Sequence, residues 1–123
     1  MARKFEDIEV WQFARILVKD IYTLTNSEQV RKNYNVCDQI QRAALSVMNN
    51  ISEGFERQSH KEFAQFLKIA KGSVGEVRSM LYLLSDVKLI DEVIFKKLYE
   101  QTVAISKSLA GFIKYLKNNP PPS

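Results

Sequence analysis

The chain has 123 residues, of which 46% are hydrophobic and 26% charged, a globular composition with material for one core and not two. Four glycines and three prolines (Pro120, Pro121 and Pro122) are too few turn residues for an all-β sandwich or barrel of this length. The lone cysteine, Cys37, excludes an internal disulfide, the lone histidine, His60, excludes a multi-histidine metal site, and no apolar run of about 18 residues exists to span a membrane. With no apolar signal core in residues 1–7 and no disulfide, the expected location is the cytoplasm. Lys and Arg number 18 against 14 Asp and Glu, a net charge of +4 that suits a polyanionic partner or simple solubility.

The first periodic segment covers residues 7–25. Trp11, Ala14, Val18, Ile21 and Thr25 recur at helical spacing and are the expected inward row, widened by Val10, Phe13, Leu17 and Leu24. A second helix is expected over residues 36–57, capped by Asn35, whose side chain can accept from the amide near Asp38. Its apolar row is Ile40, Ala43, Val47, Asn50 and Gly54; a polar row runs Gln39, Arg42, Ser46, Asn49, Glu53 and Arg57.

Ser59 and Glu62 have capping-box spacing and open a third helix over residues 60–87. Gly72 and Gly75 each cost this helix about 1 kcal/mol against alanine. The expected compensation is close approach of a neighbouring helix, so that Gly72→Leu disturbs the packing of the second and third helices. From Met80 to Leu84 the helix is apolar nearly all round. Asp91 caps a fourth helix over residues 92–117, where Leu98, Thr102, Ile105, Leu109, Phe112 and Leu116 give a clean stripe. Acidic Glu92 near its start and basic Lys114 and Lys117 near its end suit the helix dipole. Residues 118–123 are expected as a disordered tail. Four amphipathic helices with short connections predict an all-α, antiparallel up-down-up-down four-helix bundle, one domain over residues 1–123.

No catalytic, cofactor-binding or metal-binding set emerges. Di-iron bundles need two Glu-x-x-His pairs, which one histidine cannot supply. Cys37 and His60 fall near opposite ends of the second helix, and Gly72 with Gly75 sits in a helical pattern rather than a phosphate loop. The expected protein is not an enzyme. Asn50 borders an apolar row and needs partners, for which Ser73 and Glu76 are candidates, beside a Glu53–Arg57 pair; this set reads as a structural polar network. Lys61, Lys68, Lys71 and Arg78 form a basic stripe on the third helix, able to follow a phosphate backbone or simply to be solvated. Phe63 and Phe66 read as core. The apolar surplus on the first and third helices exceeds what a lone bundle covers and points to a homo-oligomer.

Phe5, Glu6, Asp7, Ile8, Glu9, Val10, Trp11 and Gln12 form an opening that resembles the 23S rRNA-intervening-sequence family of four-helix bundles. The stretch from Gln39 to Val47, then Asn50, Ile51, Ser52, Glu53, Gly54, Phe55 and Arg57, resembles that family's central signature. Ser59, Glu62, Phe63, Phe66, Leu67, Ala70, Gly72, Ser73 and Glu76 follow its third-helix pattern. Ser52 departs from its usual alanine, and Met48 with Asn49 from a commoner pair. The resemblance implies a bacterial cytosolic protein, in some cases encoded within insertions in the large ribosomal RNA gene. The family is similar to the accessory protein of diversity-generating retroelements, a pentameric barrel that binds nucleic acid and a reverse transcriptase. Five copies would pool the net charge and favour RNA or DNA as a partner. The expectation is a non-enzymatic homo-oligomer, pentameric, that binds RNA or another polyanion; the alternative is a protein-interaction scaffold without nucleic-acid binding.

Overall fold

Two side-chain caps set where the last two long helices begin. In a computed structural model describing residues 2–120, Ser59 Oγ accepts the Glu62 N–H at 3.2 Å and Asp91 Oδ1 accepts the Ile94 N–H at 2.8 Å. Each satisfies a donor that the first helical turn leaves unpaired. The helices are α1 (Glu9–Thr25), α2 (Tyr34–Glu56), α3 (His60–Asp86) and α4 (Glu92–Asn118), preceded by a 3₁₀ turn at Phe5–Asp7. No strand occurs among the described residues. Asn118, expected as the first tail residue, still belongs to α4, and the expectation for residues 121–123 lies outside the described ones.

Asn35 is not the cap of α2. Tight turns lead straight into the helix, with Arg31 N–H bonded to Ser27 O at 2.9 Å and Asn33 N–H to Val30 O at 2.9 Å. The Asn33 carbonyl then takes the Cys37 amide at 2.9 Å, and Asn33 stands at the cap position without a side-chain bond. Burial of Val30 anchors these turns. Asn35 falls inside the first helical turn, where its Oδ1 accepts from Gln39 Nε2 at 3.0 Å.

Each helix packs on two others, α1 on α2, α2 on α3, α3 on α4 and α4 back on α1. Facing residues fix the directions. Ser46 of α2 meets Ser73 of α3, whereas Gly54 meets Phe63 and Phe66. Phe63 of α3 meets Phe112 of α4 with ring centroids 5.1 Å apart, and Tyr82 meets Phe95 at 5.2 Å. As one residue number rises the other falls, so both pairs are antiparallel. The four inward stripes share one core, with Leu17, Ile40, Leu67, Leu81 and Leu109 wholly enclosed.

Two expectations are corrected here. In α1 the buried row is Val10, Ala14, Leu17, Ile21 and Leu24, joined by Thr25. Trp11 and Val18 sit at its edge, half-buried. The helix is apolar over so wide an arc that either row could face inward, and packing against α2 and α4 selects the second. The close glycine is Gly54, not Gly72: a Cβ on Gly54 would lie 2.6 Å from Phe66 Cβ and 2.9 Å from Phe63 Cδ1. Gly72 and Gly75 have open space where a Cβ would stand.

Helix α3 ends in a Schellman motif, Lys88 N–H to Ser85 O at 3.0 Å and Leu89 N–H to Leu84 O at 2.9 Å. Lys88 must therefore hold a left-handed backbone, φ 61°, which side chains with a Cβ resist. Lys88→Gly is expected to stabilise the protein by about 0.5–1 kcal/mol, relief of strain outweighing added chain entropy. Thermal melting checks this; a lower midpoint would contradict it.

Candidate functional site

Asn50 and Ser73 are brought together, but through Ser46, which the sequence placed in the polar row of the second helix and not among the partners of Asn50. Asn50 Nδ2 donates to Ser46 O at 2.7 Å and to Ser46 Oγ at 2.9 Å, and Ser73 Oγ donates to Ser46 Oγ at 2.8 Å. Ser46 is thus the hub that ties α2 to α3 in a half-buried seam. Its position four residues before Asn50 was the available signal. Among the described residues Glu53 and Arg57 pair with each other alone, 3.1 Å apart on the surface, and Arg57 also lies 5.0 Å over the Phe66 ring. Such an exposed pair contributes about 0.3–0.5 kcal/mol. The Glu76 side chain is exposed and, among the described residues, makes no hydrogen bond or ion pair, so it stands outside the network.

The basic stripe divides. Lys61 and Lys68 line a groove of about 620 Å³ between the start of α3 and the end of α4, and Lys117 of α4 joins them there. Lys71, which is exposed, and Arg78, which is half-buried, lie outside it. Lys117 holds the Lys68 pKa below that of an ordinary lysine, first as a hydrogen-bonding neighbour and then as a like charge. His60 Nδ1 lies 2.9 Å from the Asn119 carbonyl, which fixes Nδ1 as the protonated donor and pins the two helix ends together. Sequence spacing on α3 cannot reveal Lys117, because the two helices meet only in the folded chain.

The Cys37 side chain is buried, with Sγ 3.4 Å from the Val30 carbonyl, and burial pushes its thiol pKa up. That is the reverse of what activates a cysteine nucleophile. Among the described residues no three His, Cys, Asp or Glu side chains converge as metal ligands. No helix among them is long and apolar enough to cross a membrane.

Of the four seams, α1–α4 has the least helix-to-helix contact. A hollow of about 240 Å³ there is lined by Phe13, Ile16, Gln101, Ala104 and Ile105. Phe13 and Ile16, which line it, are 41% and 49% exposed; exposed apolar groups also occur elsewhere, Ile69 on α3 and Val93 on α4 among them. Gln101 Nε2 donates to Asp20 Oδ2 at 2.8 Å, while its Oε1 is enclosed without a partner among the described residues. Such an orphaned acceptor costs about 1–3 kcal/mol unless a donor reaches it.

A search of curated proteins gives no match. Among solved structures, the chain is similar to a protein of unknown function from the S23 ribosomal protein family of Bacteroides thetaiotaomicron. The two share 28% identity and a TM-score of 0.73, over 85% of this chain and 94% of that one. The family model for the 23S rRNA-intervening sequence protein matches residues 6–111. That span takes in the opening around Trp11, the Ser46–Asn50 hub and both lysines of α3 that line the groove; the chain belongs to the 23S rRNA-intervening sequence protein family.

Proposed function

We propose that the protein is a non-enzymatic homo-oligomer, five bundles around an axis, that binds RNA or another polyanion with little dependence on sequence. The observation that carries this reading is the α1–α4 face, with exposed Phe13 and Ile16 beside Gln101 Oε1, which has no partner among the described residues. A second copy seated there would cover the apolar groups and could supply the missing donor. Assembly then multiplies a net charge of +4 per chain into a field that attracts nucleic acid. The number five rests on the family resemblance alone.

Light scattering combined with RNA filter binding at several salt concentrations tests both halves. The expected mass is a multiple of the chain mass, reduced to one chain by Ile16→Glu. RNA retention should fall steeply with salt and weaken in the Lys61→Glu, Lys68→Glu double variant. A monomer at all concentrations would overturn the assembly. Retention absent, or unchanged in the double variant, would overturn polyanion binding through these residues and favour a protein-interaction scaffold.

A further inference from the structure

The lysines of the groove are gathered at one end of the bundle rather than spread along it. From Lys61 to Lys68 is about 10 Å of helix rise, whereas the full run to Arg78 would be about 25 Å. Lys117 closes the cluster from the opposite helix. Of the described residues that line the groove, three are lysines and none carries a carboxylate. The ion pairs among the described residues involve Arg42, Arg57 and Lys97, and none engages these three lysines. The positive end of the α3 dipole also faces this groove, since Ser59 and His60 at its start form part of the wall. Like charges that share a groove without a counter-charge repel one another, and an anion placed between them relieves that repulsion.

We propose that this groove is a site for one doubly charged terminal phosphate, held by Lys61, Lys68 and Lys117. On the RNA-binding reading above, on which this assignment rests for the source of the phosphate, the group is the phosphomonoester end of an RNA strand. Three lysines lining one groove, with no carboxylate among the described residues that line it, match a dianionic end group better than the evenly spaced single charges of an internal backbone. Lys71 and Arg78 then contribute only general attraction.

The test compares one RNA oligonucleotide carrying either a 5′-phosphate or a 5′-hydroxyl, with inorganic tripolyphosphate as a separate probe. Binding is followed by fluorescence anisotropy for the RNAs and calorimetry for the small anion. The expected result is about tenfold tighter binding of the phosphorylated strand, lost in the Lys68→Gln, Lys117→Gln double variant and kept in Lys71→Gln. Gln preserves the side-chain stems, and unchanged melting shows that the fold is intact. Equal affinity for both strands, with the double variant behaving as wild type, would overturn the terminal-phosphate site and leave RNA binding standing. Capture of tripolyphosphate that depends on Lys68 and Lys117, without binding of either strand, would support the site and overturn RNA as its source. No binding of any probe would overturn both.

Discussion

Gly54→Leu should destabilise the protein by about 3 kcal/mol or more, while Gly72→Leu in the same protein should be neutral or stabilise it by about 0.5–1 kcal/mol. The residues exchanged are the same, and only the surroundings differ. At Gly54 the first added carbon would meet Phe66 Cβ at 2.6 Å. That atom is fixed to the α3 backbone and cannot swing aside, so α2 and α3 must move apart. The helices would then stretch the Ser46–Ser73 bond of 2.8 Å and loosen the contact of Phe63 with Phe112. At Gly72 nothing stands within 4 Å of the new carbon, so the replacement gains leucine's better helix propensity without a clash. Chemical denaturation of the two variants decides the matter. A large loss at Gly72 with none at Gly54 would mean that the close approach lies elsewhere.

Leu17→Ala is expected to cost about 2–5 kcal/mol, against about 1–2 kcal/mol for Trp11→Ala. Leu17 is wholly enclosed, so truncation leaves a cavity in the shared core. Trp11 is half-buried, resting edge-on against Phe5 at 5.0 Å with Arg15 5.8 Å over its ring. Its removal strips a covering rather than hollowing the interior. Were Trp11 in the inward row, as its spacing in the sequence predicts, its loss would cost about 3–5 kcal/mol. A larger loss for Trp11 than for Leu17 would mean that α1 is rotated from the orientation described.

These two cases mark where the sequence is informative. The starts of α3 and α4 could be read because Ser59 and Asp91 act on amides three residues away, a local matter decided by chemistry and spacing. The rotation of α1 could not, since Trp11, Phe13, Ile16 and Val18 make it apolar far beyond one stripe and only its neighbours choose the buried row. Asn35 had the right chemistry for a cap, but the turns anchored by Val30 brought the helix in ahead of it. The glycines illustrate the same limit, because spacing says that a residue lacks a side chain and not whether another helix fills the gap. For the candidate site, Lys61 and Lys68 were visible on one helix. Lys117 entered only when α4 folded back beside them.

The Gln101–Asp20 contact joins residues 81 positions apart, while the other three helix seams link neighbours along the chain. Three of the contacts can therefore form as hairpins as soon as each successive helix exists. The fourth has to wait for the carboxyl-terminal quarter, and it bears the largest loop-closure penalty. During synthesis the greasy side of α1 is left half-covered until the last helix emerges, so the window in which nascent copies could pair wrongly lies on the same flank where finished copies are proposed to meet.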